Sequence, residues 1–280
     1  MHHPANRYFP ALCMTLILLL SGCASVPFDY PKKPSAVTRI SDQTTLGAEG
    51  LEWISRHGDA SGFIALAEGN DALGVRLKLM EAAEESIDAQ HFLIKPDQAG
   101  KLFVGGLLRA ADRGVRVRFL IDDIFTPSVD SPLSVLNSHP NIEVRLFNPL
   151  TRQSFKYWSM LVDFGRANRR MHNKSFTVDD ALVVFGGRNI AEEYFAVQPE
   201  VEFIDLDVLG IGKVAGDVAN TLDQIWNASH SVPVEAFSVP VDPAELDQFL
   251  ATFQSRVLPN AAHRGTTIGH SRGAMKWNMA

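Results

Sequence analysis

Between Met171 and Phe195 the chain carries His172, Lys174, Asp179, Gly186, Gly187 and Asn189 in the spacing H-x-K-x4-D-x6-G-G-x-N. At ordinary residue frequencies of ~5% per type, six such fixed positions arise by chance in a chain of this length with a probability on the order of 10⁻⁵. An imidazole is a nucleophile or a proton carrier, and an ammonium, an amide and open backbone N–H groups hold the oxygens of an anion. Gathered in one small space, they suit a phosphate ester under attack.

Those groups need an element that gathers them. Ser175–Val178 and Ala181–Phe185 are β-prone runs split by Asp179-Asp180, a pair suited to a tight turn, so the stretch reads as a hairpin. Side chains two apart on a strand share a face, which puts His172 beside Lys174 and turns Asn173 away. With Asp179 and Asp180 as the two loop residues, Val178 faces Ala181 and His172 faces Gly187. The two glycines then lie beside the imidazole, where a missing Cβ lets an anion approach the backbone N–H groups. Asn189 follows just past them.

The segment resembles the phospholipase D superfamily and matches its HKD motif at every fixed position. The flanks Asn168–Lys174, Gly186–Ile190 and Glu193-Tyr194-Phe195 resemble the bacterial cardiolipin-synthase-like branch, and similarity runs over roughly Gly69 to Pro233, including Ala110–Val117, Asp122-Asp123 and Phe203–Val208. The resemblance implies an α/β sandwich, catalytic roles for His172, Lys174 and Asp179, substrate binding by Gly186, Gly187 and Asn189, and no metal or other cofactor. Members of the branch carry two HKD motifs; this chain has one.

The chain has 280 residues, enough for one sizeable core, and a formal charge of −6 that argues against a general electrostatic grip on nucleic acid or anionic lipid. Locally the balance reverses: Arg166, Arg169, Arg170 and Lys174 cluster around His172, either as part of an anion site or, for Arg166, as a solvated loop.

Ala11–Leu20 is an apolar run of about ten residues, too short to span a bilayer and suited to a signal peptide. Leu20-Ser21-Gly22-Cys23 resembles a bacterial lipobox, which implies cleavage before Cys23, lipidation of its sulfur and a place in the cell envelope, with Ala24 resembling the outer-membrane sorting pattern. Losing Arg7 with residues 1–22 leaves 25 basic against 32 acidic side chains, a charge of −7, and no cysteine for a disulfide. Residues 23–47, with Pro27, Pro31 and Pro34, read as a lipidated tether, with order expected near Leu51.

Beyond it, a domain over 48–257 alternates strands and helices. A helix capped by Asn70 or Asp71 carries Leu73, Val75, Leu77, Met80 and Ala83, and strand Ile87–Ile94 follows. A second helix spans Gly100–Arg113, then come strand Val115–Ile121, a short helix Ser131–Ser138 and strand Ile142–Phe147. These make an α/β single lobe with a mixed sheet. Asp122-Asp123 reads as turn or cap carboxylates rather than a metal pair, since no further ligands accompany it. His91 reads as a packed or exposed bystander rather than a channel residue.

After the motif, strand Phe203–Leu209 places Asp205 and Asp207 on one face, and buried carboxylates need partners. One could orient the His172 ring, as the resemblance implies for Asp207, or both could serve ion pairs with Arg169 or Arg188. Helices Val214–Trp226 and Pro243–Val257 follow. Residues 258–280 lose apolar patterning and read as an unpatterned tail, either of a truncated second lobe, as the resemblance implies, or of a natural single-motif protein.

Together these imply phosphatidyl transfer or phosphodiester hydrolysis on phospholipid through a phosphohistidine. A second HKD motif is needed, supplied by a homodimer partner or a missing lobe. A periplasmic nuclease and an inactive, membrane-tethered phosphate-binding half-domain are the rival readings.

Overall fold

The structure, a computed structural model, describes residues 26–125, 131–152, 163–195, 203–237 and 278–279. The expected signal peptide, the lipidation site Cys23, helix Pro243–Val257 and most of the tail lie outside the described residues.

The elements run α1 Thr45–His57, β1 Ser61–Leu66, α2 Gly69–Ala82, β2 Ser86–His91, α3 Gln98–Asp112, β3 Arg116–Asp122, α4 Ser131–Asn137, β4 Ile142–Phe147, α5 Phe164–Ala167, β5 Ser175–Val178, β6 Leu182–Gly186, β7 Asp207–Gly212, α6 Lys213–Trp226, β8 Ser231–Pro233 and β9 Asn278–Met279. Short 3-10 turns cover Glu192–Tyr194 and Val234–Ala236. One mixed sheet holds all nine strands in the order β8-β4-β3-β2-β5-β6-β7-β1-β9. Only β2/β3 and β3/β4 pair in parallel, each through a helical crossover, and the other pairs are antiparallel.

Period-2 alternation assigns each strand's side chains to one of two layers. On one face Phe119 and Phe176 meet Phe103 of α3 in the main core, with Leu73, Leu79 and Met80 of α2. On the other face Leu120 joins Met171, Leu222 and Trp226 under α6. This second face is polar: Arg118 binds both oxygens of Asp88 at 2.7 Å and reaches Asp223 at 2.7 Å, and the Arg145 guanidinium lies 4.4 Å from the Trp226 ring. Paired charges fill it alongside the small apolar cluster.

The strand and helix expectations hold within a few residues for most elements, with four departures. Helix α2 has Glu68, not Asn70 or Asp71, at its N-cap position, with no side-chain cap bond, whereas Asp97 caps α3 by accepting from Gly100 N. Strand β2 ends at His91, and beyond it only Ile94 makes a bridge, to Ile190. The strand expected over Phe203–Leu209 starts only at Asp207, leaving Asp205 ahead of it. Residues 32–44 are not a free tether. Lys32 Nζ donates to Ala228 O and Ser231 O, Val37 N donates to Asp223, Arg118 and Arg145 donate to the carbonyls of Ser35 and Lys33, and Val37 is buried. The strap is held by backbone groups paired with side chains of the body, a mode that leaves no apolar periodicity in its sequence.

Candidate functional site

The hairpin is present, and its turn closes as expected: Asp179 and Asp180 both take positive φ (52° and 51°), and Ala181 N bonds to Val178 O at 3.0 Å. That is the backbone of a type I′ turn, whose twist matches the flanking strands. The register departs by one. Val178 pairs with Leu182 and Ser175 with Phe185, so Ala181 is an extra residue, as in a β-bulge. Gly186 N accordingly donates to Lys174 O, and the position opposite His172 falls to Arg188 rather than Gly187.

His172 lies in the extended segment between α5 and β5, exposed, while Lys174 is buried. Lys174 Nζ is 3.2 Å from His172 Nδ1 and 2.9 Å from His172 O. The approach to that segment is pinned from beneath. Asp122 accepts from Met171 N at 2.7 Å and pairs with Arg170, and Asn148 Nδ2 donates to the carbonyls of Arg166 and Arg169. Burial pushes the Asp122 carboxyl up, and the Arg170 guanidinium with the two backbone donors opposes it. Asp123 binds Arg152 and Leu150 N. The pair therefore works as anchoring carboxylates, and no metal-ligating cluster occurs among the described residues.

Phe92 forms the platform of the site, a role that nothing in the motif signals. Its ring lies 4.6 Å from the His172 ring and 5.3 Å from Lys174 Nζ. Just beyond it, Ile190 N donates to Leu93 O and Lys95 N to Ile190 O, which brings the Asn189 segment alongside. Asn189 is buried, donates to the Tyr194 hydroxyl at 3.0 Å and leaves its Oδ1 without a hydrogen bond among the described residues.

Three expected roles change. Asp179 sits at the far end of the hairpin, where its carboxylate accepts from Glu84 N, Glu85 N and Ser86 N at 2.8–3.1 Å; it fastens the start of β2 and does not reach the imidazole. Gly186 and Gly187 present no open donors, because their N–H groups bind Lys174 O and Leu206 O. Their missing side chains serve packing: a Cβ on Gly186 would stand 2.3 Å from Asp207 Oδ1, and one on Gly187 would stand 2.0 Å from Asp205 Oδ1. Asp207 does not hold the His172 ring. Its buried carboxylate meets Arg76 Nη2 at 3.0 Å and Arg188 Nη1 at 3.8 Å and accepts from Arg188 N at 3.2 Å.

The ion-pair reading of Asp207 thus holds through Arg188, with Arg76 as the partner that sequence reasoning missed. Arg188 also donates to the carbonyls of Leu66, Ala67 and Tyr194, so the segment after the glycines is tied to the end of β1 and to the turn at Tyr194. Desolvation lowers the pKa of Lys174, and the nearby carboxylates of Asp205 and Asp207 oppose the shift. His91 is fully buried against Phe103 and Phe119; burial, then Arg76 and Lys174, push its pKa well down. Of the packed and exposed bystander readings, the structure selects the packed one.

A cleft of about 260 Å³ adjoins the motif, lined by Gln90, Asn173, Lys174, Ser175, Phe185 and Gly186 of the sheet with Val218 and Thr221 of α6.

Residues 77–226, more than half of the chain, match the family described as cardiolipin synthase, PLD-like domain. The chain belongs to this phospholipase D-like family. It is 44% identical to cardiolipin synthase C of Escherichia coli over 185 residues, 66% of this chain and 39% of that protein. It is 36% identical to an uncharacterized protein of Helicobacter pylori over 78% of this chain and 44% of that one. The phospholipase D-like chain thus spans less than half the length of these relatives. Among solved structures, the phospholipase D family member Nuc from Salmonella typhimurium aligns with 62% of this chain and 96% of its own at 19% identity and a TM-score of 0.41.

Proposed function

We propose that this domain supplies one half of a phospholipid phosphodiester-transfer site, with His172 as nucleophile and Lys174 and Asn189 as oxygen-binding groups. The observation that carries this reading is the 3.2 Å approach of the Lys174 ammonium to the imidazole, on the Phe92 ring and beside two carboxylates. A phosphoryl oxygen entering this space takes the ammonium's hydrogen bond and leaves a ring nitrogen free to attack phosphorus. The N–P bond forms as the P–O bond to the leaving alcohol breaks, and that oxygen takes a proton from a second imidazole. Water or an acceptor alcohol then attacks phosphorus, giving its proton to the second imidazole as the N–P bond breaks, and His172 is restored.

Two imidazoles divide these roles, one neutral and one protonated. The second comes from another HKD motif, on a homodimer partner or on a second lobe. Phospholipid is favoured by the similarity to a cardiolipin synthase and by the net charge of −6, which disfavours a polyanion. Anchoring at the cell envelope through Cys23 fits the same substrate. No helix among the described residues is long and apolar enough to cross a membrane.

The test incubates the full chain and His172→Ala with labelled phosphatidylglycerol and, separately, with single-stranded DNA. Cardiolipin or phosphatidic acid formed by the wild type alone upholds the reading. DNA cleavage alone replaces it with a nuclease, and lipid binding without turnover reduces it to a half-site.

A further inference from the structure

We propose that the mouth of this site is a membrane-docking rim, whose apolar side chains enter the headgroup layer of a phospholipid bilayer and bring the diester to His172. The inference rests on the phospholipid reading above and adds the surface by which the substrate is reached. On one side of the site the Phe125 ring stands 5.3 Å from the Phe92 ring, which itself carries His172, and Phe125 is 54% exposed. On the other side Leu206 O takes the N–H of Gly187, and the Phe203 ring packs 5.1 Å from Tyr194, the partner of Asn189. Leu206 and Phe203 are about half exposed, and Ile204 between them is wholly so. Apolar groups on a soluble surface are ordinary when scattered, but a group flanking a reactive centre marks a contact surface.

Around the rim the charges leave one cation facing outward, while the Asp205 carboxylate between Ile204 and Leu206 accepts from Leu206 N and acts on Lys174. Arg166, Arg170 and Arg188 spend their guanidinium groups on carbonyls and carboxylates of the protein. Arg169, three residues before His172, is exposed and makes no side-chain hydrogen bond or ion pair among the described residues. Apolar tips with an unspent cation match an interface of acyl chain and phosphate, where such groups bury about 5–10 Å deep. The substrate's geometry requires the same thing. The scissile phosphate of a membrane lipid lies in the headgroup layer, so an imidazole that attacks it must come down onto that layer.

The test uses the full chain carrying Ile204→Trp on vesicles of phosphatidylglycerol and phosphatidylethanolamine whose acyl chains are brominated near the headgroup. The emission added by the substitution is expected to shift to the blue and to be quenched; added emission that stays water-like and unquenched overturns the proposal. A blue shift that follows protein concentration without vesicles overturns it too, because a second copy then covers the rim. In a second arm, Ile204→Asp is expected to lower kcat/KM about tenfold or more on vesicles and to leave turnover of a soluble short-chain phosphatidylglycerol unchanged. Equal losses on both substrates count against docking. If the wild type turns over neither lipid, the catalytic reading fails while quenching still decides the docking.

Discussion

Lys174 holds its ammonium between two atoms of one residue, His172 Nδ1 at 3.2 Å and His172 O at 2.9 Å. The pair is thus preassembled, and the lysine's charge depends on the opposition between burial and the carboxylates of Asp205 and Asp207.

That opposition sets a pH limit. Burial lowers the Lys174 pKa, so the cation is lost at a lower pH than for an exposed lysine, and the alkaline limb of kcat/KM should fall below 10.5. Asp205→Asn removes one carboxylate that raises this pKa, and the limb should move lower still. Replacing the ammonium altogether with Lys174→Met should cost about 10²–10³ in kcat, as for the loss of one oxyanion donor. A pH–rate profile unmoved by Asp205→Asn would show that the carboxylate does not act on Lys174.

Asp179 should prove to be a structural member of the motif. Its carboxylate satisfies three consecutive backbone N–H groups at the start of β2, and Asn tolerates the positive φ while keeping fewer of those bonds. Asp179→Asn is expected to cost about 1–3 kcal/mol of stability in urea titrations, with kcat of the folded protein near that of wild type. A collapse of kcat at undiminished stability would restore a catalytic role.

For Asp207 the expected effect is larger. Asp207→Asn leaves Arg76 and Arg188 buried without their shared counter-charge, at an expected cost of about 3–5 kcal/mol. Thermal unfolding followed by circular dichroism measures this, and a shift in Tm of only a degree or two would mean that the network relaxes by admitting water.

Asp180 offers a gain instead. Desolvation pushes its carboxyl up to about 6, so the folded state holds this proton more tightly than the unfolded chain, where the value is 3.8. Stability therefore falls as pH rises from about 4 to about 6 and is lowest with respect to this group above that window. Asp180→Asn, which can still accept from Ile40 N and tolerates φ of 51°, should stabilise the protein at pH 8 by on the order of 1 kcal/mol, with the gain vanishing toward pH 4. Urea midpoints at the two pH values give the difference directly.

The hairpin and the motif were legible in the sequence because β-prone runs, a two-aspartate turn and period-2 alternation all point the same way. The register was not, because no local pattern separates a turn that leads straight into the ladder from one followed by the extra residue Ala181. The glycines were legible as positions of close approach, but what approaches is not an anionic ligand at open N–H groups; it is Asp205 and Asp207, which arrive from about twenty residues downstream. Arg76 did leave a signal: it interrupts the apolar stripe of Ala72, Leu73, Leu79 and Met80, and a charge on a core face calls for a buried partner. The strap over 32–44 left none, since polar contacts to backbone carry no periodicity.

The seam between β2 and β5, where Gln90 meets Ser175 across 85 positions of chain, also governs when the site can appear. The neighbouring β2/β3 ladder joins residues about thirty apart, as from Asp88 to Arg118, and closes a far shorter loop. Closure entropy grows with loop length, and distant pairings form slowly. During folding the Phe92 platform can thus be in place on its half of the sheet before the imidazole arrives. The imidazole and the ring beneath it therefore come together only when the hairpin docks, so the His172–Lys174 pair is among the last features of the sheet to be completed.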